Sequence, residues 1–179
     1  SGAWHPDGDA LGAHGGGTAP GGSAEVAPIA FDQLVPADGY RWWYVDALSD
    51  DGSHGLTIIA FVGSVFSPYY KWSRRRGPVD PMNHAAVNVA LYGARGHRWA
   101  MTERGRRAVA RDRSCFGVGR SRLVWDGSGL SIDIDEVTFP VPGRIRGRIL
   151  VHPQNLNSET FVLDPGSAGV GVHLWRPIA

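Results

Sequence analysis

The residues best placed for chemistry lie near the C-terminal end, where His173 is followed two positions later by Trp175. On an extended strand, side chains at this spacing project from one face about 7 Å apart. An imidazole exchanges protons near neutral pH, and an indole ring attracts positive charge to its face. The pair could therefore act together on a substrate, but a His and a Trp on a terminal strand are also common in ordinary packing.

Two runs of aromatic residues, at positions 40–44 and 61–70, form the second feature suited to binding. Rings concentrated in so short a stretch indicate either an unusually aromatic core or the wall of a pocket for a flat, apolar ligand. Ring faces also stabilise a cation without being basic enough to remove a proton. The residues alone leave the choice between core and pocket open.

An alternation of apolar and polar residues predicts that strands position these side chains. In 143–151, Arg144, Arg146 and Arg148 alternate with apolar residues or glycine, as in a half-buried strand. Segment 56–66 is apolar on both faces, which is typical of a strand covered on each side. Tight reversals are predicted at 49–53 and 125–130. The remaining strands are predicted at 40–48, 83–92, 98–103, 122–125, 130–137, 160–163 and 171–176.

No helix is predicted, because Pro and Gly interrupt every stretch long enough to form one. The chain is therefore predicted to be all-β, with about eight or nine antiparallel strands that close as a barrel or pack as a sandwich. A barrel of about eight strands is wide enough to hold one small ligand.

Length and composition are those of one globular domain, with 179 residues, 42% apolar and 20% charged. Residues 1–28 are rich in Gly and are expected to form a flexible leader, which leaves 29–179 as the β domain. Neither a membrane-spanning helix nor an export signal is expected. The single Cys115 fits a reducing compartment, so we expect a cytoplasmic location.

Basic residues are concentrated in two runs, 71–76 and 95–122. The β domain has a net charge of +4, because 1–28 contain three of the 17 acidic residues and none of the 18 basic ones. Such runs are typical of a solvated face, and they would also be attracted to an anionic membrane surface. No recognition motif accompanies them, so nucleic acid is not expected as a partner.

Signatures of the common catalytic classes are absent from the sequence. It has no glycine-rich phosphate loop, CxxC, HExxH or GxSxG. The seven His residues lie apart, at no metal-ligand spacing, so no metal site is expected.

Five motifs in order carry a resemblance to a known family. They lie at 38–46, 61–70, 88–93, 99–105 and 173–179, and they include Asp-Gly-Tyr-Arg-Trp-Trp-Tyr-Val-Asp and His-Leu-Trp-Arg-Pro. In these motifs the chain resembles carotenoid 1,2-hydratase, also called hydroxyneurosporene synthase, of photosynthetic bacteria. That family is similar to two-domain, lipocalin-like β folds and continues well beyond this chain, so the resemblance implies that 29–179 is the first half of such a fold.

The resemblance implies acid-catalysed addition of water to the terminal C=C bond of an acyclic carotenoid of the neurosporene or lycopene type. This reaction needs an acid kept protonated by an apolar pocket, a short-lived tertiary cation and a water, and no cofactor. The family's His-x-Trp-Arg-Pro motif carries over to His173 and Trp175 as catalytic residues. Its later Tyr-x-Asp motif, which holds the implied acid, has no counterpart before Ala179, so this chain alone is expected to be an inactive part of a hydro-lyase.

The predicted substrate-binding residues are the rings of these motifs together with one carboxylate. They are Trp42, Trp43, Tyr44, Phe61, Phe66, Tyr69, Tyr70, Tyr92, Trp99 and Glu103. Glu103 shares a predicted strand face with Trp99 and Met101 and would point inward, where Arg104 or Arg41 could hold it ionised.

Two alternative functions remain open. The chain could be a non-catalytic protein that holds a carotenoid or helps to assemble a membrane complex, or an enzyme of related fold that cyclises an apolar substrate. The expected partners are an acyclic carotenoid and, at the surface, an anionic membrane or a photosynthetic membrane complex, with a peripheral position on the inner membrane.

Overall fold

The computed structural model describes residues 29–94, 96–154, 161–164 and 173–175. The predicted leader, 1–28, lies outside the described residues. In the described part, nearly all regular structure is antiparallel β-sheet, so the all-β prediction is confirmed. Of the two predicted arrangements, these strands form a two-sheet sandwich and not a closed barrel.

The first sheet contains four strands that follow one another in chain order. They are β1 (Arg41–Leu48), β2 (His54–Val62), β3 (Ala85–Gly93) and β4 (Arg98–Arg104). The reversal between β1 and β2 lies at 49–53, as predicted. Asp51 stabilises it by accepting hydrogen bonds from Ser49 and Ser53. The strands pair without register shifts, so alternate residues of all four strands share a face.

The second sheet contains five strands, also in chain order. They are β5 (Val109–Arg111), β6 (Cys115–Val118), β7 (Ser121–Trp125), β8 (Leu130–Val137) and β9 (Arg144–Val151). The short strands β5 and β6 were not predicted, because neither is long enough to show an alternating pattern. Two further short strands, β10 (Phe161–Asp164) and β11 (His173–Trp175), pair as a separate antiparallel hairpin.

The two sheets bury one face each against the other. Ile58, Val87 and Val89 of the first sheet belong to the same core cluster as Leu123 and Ile132 of the second. Fully burying an aliphatic side chain of this size stabilises the fold by about 1.5–3 kcal/mol. This shared core fixes which face of each sheet is left to point outward.

The outward face of the second sheet is charged. Asp133 lies opposite Arg148, and Asp135 lies opposite Arg146, and each carboxylate binds the arginine across from it. Arg144 adds a second ion pair to Asp135. This face is therefore suited to contact with water, as the alternation in 143–151 predicted.

The described residues include one α-helix, which corrects the prediction that the chain has none. Helix α1 (Pro68–Arg74) begins at Pro68, a position where proline is tolerated because the first-turn N–H groups have no intrahelical partner. Ser67 caps it by accepting hydrogen bonds from the backbone N–H groups of Tyr69 and Tyr70. Two single-turn 3₁₀ helices, Pro81–His84 and Arg106–Ala108, precede β3 and β5.

The predicted strand 56–66 ends at Val62, because the next residue, Gly63, adopts a left-handed conformation with φ of +70°. A Cβ atom at this position would overlap the carbonyl oxygen of Gly39 and lie 3.1 Å from the Tyr70 hydroxyl. Glycine is thus required both by the backbone and by the close approach of the chain. From this point the chain turns back over the end of the first sheet.

We expect Gly63→Ala to lower the free energy of unfolding by about 3 kcal/mol, because it adds a steric overlap to the cost of a left-handed alanine. Gly52→Ala is the matched control, because Gly52 has φ of +67° and no atom within 4 Å of the added Cβ. Urea denaturation of both variants measures the difference. Equal losses of stability would show that the contact at Gly63 does not matter.

Candidate functional site

The outward face of the first sheet is aromatic, and we call it the aromatic face. Direct register places Trp42 opposite Phe61, Phe61 opposite Ala86 and Ala86 opposite Glu103, so these four side chains form one row across the sheet. By strand alternation the face carries Trp42, Tyr44, Asp46, Thr57, Ile59, Phe61, Asn88, Tyr92, Trp99, Met101 and Glu103. Six of the ten predicted binding residues therefore lie on one surface.

Four rings at one end of this face pack into what we call the aromatic cluster. Trp42 lies 6.0 Å from Phe61 and 5.7 Å from Tyr40 between ring centroids. Phe66, from the connection after Gly63, stacks on Trp42 at 6.3 Å and meets Phe61 edge-on at 5.3 Å. Phe61 is completely buried while Phe66 is partly exposed, so the cluster extends from the sheet to the surface.

Tyr70 of helix α1 anchors the connection over the aromatic face. Its side chain is buried, its hydroxyl donates a hydrogen bond to the carbonyl oxygen of Gly39, and its ring lies 4.9 Å from that of His84. Burial raises the pKa of Tyr70 to about 12. The helix is therefore held to the segment that leads into β1 by a hydrogen bond that needs the neutral phenol.

Glu103 is bound to His84, which corrects the expectation that Arg104 or Arg41 would hold it. The distance from His84 Nδ1 to Glu103 Oε1 is 2.6 Å, and both side chains are largely buried. Arg104 reaches only the backbone carbonyl of Glu103, and Arg41 binds Gln33. The other carboxylate oxygen of Glu103 is buried and has no hydrogen-bond partner in the described structure, so this end of the aromatic face contains a carboxylate with one of its two oxygens paired.

His84 is a site residue that the sequence did not single out. The signal that could have found it is the β3–β4 register, since Glu103 pairs with Ala86, two residues after His84. That register depends on the length of the reversal between the strands, which the residue pattern alone does not give.

The other end of the aromatic face is open to solvent. Tyr44, Tyr92 and Trp99 are each exposed over about two-fifths to one-half of their surface, and the Trp99 indole N–H donates to the Asn88 side chain at 2.6 Å. Beside Trp99 a groove of about 310 Å³ runs along segment 138–144. Phe139 of that segment meets Trp99 edge-on at 6.1 Å, so the aromatic surface continues into the groove.

Two predicted binding residues lie elsewhere. Trp43 points into the core between the sheets, where its ring is 5.1 Å from Phe31 and 5.1 Å from Phe116. Tyr69 is on the solvent side of helix α1 and 68% exposed. Neither is part of the surface formed by Trp42 and Phe61.

The predicted catalytic pair lies on strand β11. There His173 pairs with Asp164 and Trp175 pairs with Phe161 across the separate hairpin. The side chains of these residues are outside the described part of the structure, so their catalytic assignment stays a prediction.

Glu136 is the carboxyl group whose surroundings best match an acid that stays protonated. It is buried, accepts a hydrogen bond from Ser121 at 2.6 Å, and burial raises its pKa. Strand alternation, however, places it on the core face of β8 with Ile134 and Ile132, away from the aromatic face. We therefore assign it to the sandwich interior and not to the candidate site.

Among the described residues no group of His, Cys, Asp and Glu is arranged to hold a metal ion. In the same residues no helix is long and apolar enough to cross a bilayer. The arrangement that remains is an aromatic surface with a carboxylate–imidazole pair at one end. Such a surface suits an extended apolar ligand or a cation formed from one.

We expect Tyr70→Phe to lower the free energy of unfolding by about 1–2 kcal/mol at neutral pH, because the Gly39 carbonyl loses its buried donor. The pKa of Tyr70 is raised from 10.0 to about 12 in the folded state, so the folded protein binds this proton more tightly. Its contribution is complete below pH 10 and is lost between pH 10 and 12.

Urea denaturation at a series of alkaline pH values measures this effect. Stability should fall less steeply between pH 10 and 12 in Tyr70→Phe than in the parent. Tyr69→Phe, in the exposed neighbouring tyrosine, should match the parent throughout. The same behaviour in both variants would contradict the assignment to Tyr70.

Comparison with known proteins gives a consistent result. The sequence profile of the family described as "Carotenoid hydratase CrtC" matches residues 58–179. A protein of Thiocapsa roseopersicina named acyclic carotenoid 1,2-hydratase is 56% identical over 160 residues, covering 89% of this chain and 38% of the relative. The protein of the same name from Rubrivivax gelatinosus is 57% identical over 153 residues, or 83% of this chain and 36% of the relative.

A third relative of that name, from Rhodobacter capsulatus, is 42% identical over 123 residues, covering 68% of this chain and 41% of the relative. The chain thus spans about two-fifths of the length of the curated relatives it matches. No solved structure matches the chain.

Proposed function

Because the chain belongs to the carotenoid hydratase family, we propose that its aromatic face binds an acyclic carotenoid whose terminal double bond is hydrated by the protein of which this chain forms part. The observation that carries the proposal is the convergence of Trp42, Phe61 and Phe66 in one cluster that reaches the surface. A polyene is long, flat and apolar, and stacked rings offer it a matching surface.

The proposed reaction adds water across a carbon–carbon double bond. An acid transfers a proton to one alkene carbon, which leaves a tertiary cation on the other. The oxygen of a water molecule bonds to that carbon and then loses a proton, which restores the acid. Ring faces such as those of Trp42 and Phe66 stabilise the cation through their quadrupoles without removing its proton.

The contrast between the two outward faces supports this location. A hydrocarbon on the second sheet would cover the ion pairs of Asp133 and Asp135 with arginine, and burying charges is costly. On the first sheet it would cover rings, aliphatic side chains and two carboxylates, Asp46 and Glu103, which bind Thr57 and His84 and not arginine. Binding to the aromatic face therefore buries more apolar surface with less desolvation of charge.

Catalytic roles are proposed for His173 and Trp175 on β11, following the His-x-Trp-Arg-Pro motif. We place the proton donor in the Tyr-x-Asp motif that the family resemblance puts after residue 179. The carboxylate on the aromatic face, Glu103, already has His84 as a close partner. We assign that pair to the polar end of the binding surface.

The proposal includes contact with an anionic membrane. An acyclic carotenoid is far more soluble in the hydrocarbon of a bilayer than in water. The concentration of free carotenoid in water is therefore very low, and a protein that binds it can obtain it most simply at the membrane surface.

A second candidate function is non-catalytic binding of a carotenoid, either for storage or for assembly of a membrane complex. One observation favours it. The two carboxylates on the aromatic face are both engaged, Glu103 by His84 and Asp46 by the Thr57 hydroxyl at 2.8 Å. Each carboxylate in the described part of this face therefore already has a hydrogen-bond partner, as expected of a binding surface.

We expect Trp42→Leu to weaken binding of lycopene by about tenfold, because it removes a ring that contacts three others in the cluster. The visible absorption of the carotenoid, titrated with protein in detergent, measures the affinity. Leu150→Ala is the control, because Leu150 is an exposed apolar residue on the opposite sheet. Equal weakening by both substitutions, or none by Trp42→Leu, would contradict binding on the aromatic face.

Incubation with neurosporene in detergent separates the two functions. We expect the 179-residue chain to bind the carotenoid without forming a hydroxylated product, because the proposed acid lies in the later motif. A chain extended through that motif should form the product, detected by chromatography. Product from the shorter chain would contradict the assignment of the acid, and binding without product by both chains would favour the non-catalytic function.

A further inference from the structure

We propose that helix α1 and the residues leading into it form a docking surface for an anionic phospholipid bilayer. The docking surface consists of Phe66, Tyr69, Lys71, Trp72, Arg75 and Arg76. It lies on the connection between β2 and β3, next to the aromatic cluster.

Three large rings of this surface point into solvent. Tyr69 is 68% exposed, Trp72 is 52% exposed and Phe66 is 40% exposed. Exposed rings of this size are unfavourable in water unless a partner covers them. Trp and Tyr are the residues enriched at the boundary between lipid headgroups and hydrocarbon, so a bilayer surface is a partner that fits them.

The charge around the rings is positive. Lys71, Arg74, Arg75 and Arg76 lie within six positions, and residues 52–79 contain no Asp or Glu. Asp38 faces the same surface, in a shallow depression that it shares with Lys71, Arg74 and Arg75. With the neighbouring Arg74 and Asp38 both counted, the net charge at the surface is +3, which complements an anionic headgroup layer.

Two of these cations are held beside rings. The guanidinium carbon of Arg76 lies 3.3 Å from the centroid of the Trp72 ring, and that of Arg74 lies 5.5 Å from the centroid of Tyr70. Each contact holds a guanidinium group beside an aromatic ring. At a membrane, this arrangement lets the arginines reach phosphate groups while the exposed rings enter the interface.

The other basic run, 95–122, lacks this arrangement. Arg106 is paired with Asp80, Arg111 donates to the backbone carbonyls of Phe31 and Gln33, and Arg122 contacts the Cys115 sulfur. These arginines stabilise the fold internally. The two runs therefore differ in arrangement and not in charge alone, because 71–76 places its exposed rings and cations together on and beside one short helix.

The docking surface is continuous with the candidate carotenoid site. Phe66 is exposed on the docking surface and also stacks on Trp42 in the aromatic cluster. An apolar molecule leaving the bilayer at helix α1 would meet this cluster first. The role of this continuity in carotenoid transfer rests on the proposed function, whereas the proposed binding of lipid by helix α1 does not.

Co-sedimentation of this chain with phospholipid vesicles tests the proposal. We expect binding to vesicles that contain phosphatidylglycerol, weaker binding at high salt, and little binding to vesicles of phosphatidylcholine alone. The double variant Lys71→Glu/Arg75→Glu should bind at least about 30-fold more weakly, since each basic residue near such a surface contributes about fivefold to the partition constant. Trp72→Ala should also weaken binding, by about tenfold.

Matched controls are available on the same chain. Arg107→Glu/Arg120→Glu makes the same change in net charge at two exposed arginines of the other basic run, and Phe139→Ala removes an exposed ring on the connection between β8 and β9. Both should bind vesicles like the parent. Circular dichroism and urea denaturation of every variant establish that the fold is kept.

Three results would overturn the proposal. They are no binding of the parent to anionic vesicles, equal loss of binding in the two charge variants, and unchanged binding of Trp72→Ala. Carotenoid binding in detergent, measured on the same proteins, keeps the two hypotheses apart. A chain that binds lycopene but not vesicles contradicts the docking surface and the proposed membrane contact but leaves carotenoid binding standing. One that binds vesicles but not lycopene contradicts carotenoid binding and leaves the docking surface standing.

Discussion

The packing of the two sheets on each other is the interaction on which the rest of the structure depends. Each strand has two faces, and the core takes one of them from every strand of the first sheet, including Ile58, Val87 and Ala100. Because the strands pair in direct register, the opposite face of that sheet is defined at the same time. The aromatic surface is thus a consequence of which face the core buries.

The connection after β2 converts part of this surface into a cluster. Gly63 turns the chain back at a point where any larger residue would overlap the Gly39 carbonyl, and the Tyr70 hydroxyl then binds that same carbonyl. Phe66 is brought over Trp42 and Phe61 by this path. One short segment therefore contributes the cover of the cluster and the exposed, basic helix beside it.

The carboxylates of the two sheets differ in their partners and in their pKa values according to where each one lies. Those of Asp133 and Asp135 bind arginine on the charged face of the second sheet, and arginine lowers the pKa of both. Glu136 lies in the core, where burial raises its pKa, and Glu103 lies with His84 at the end of the aromatic face. The carboxylates of the second sheet's outer face are thus compensated by arginine, whereas Glu103 and Glu136 are each bound by one neutral or titratable partner, His84 and Ser121.

The amino-acid sequence by itself determined the all-β class, the reversal at 49–53 and the charged face of 144–148, because these depend on local alternation and turn chemistry. It did not determine that Trp42 and Trp43 have opposite roles, since both are large and apolar and only the second sheet decides which one enters the core. Helix α1 was missed because Pro68 is a breaker inside a helix and a favourable residue at its first position. Only the tertiary structure joined His84 to Glu103, because their contact depends on the register of two strands, which is set by packing and not by either segment alone.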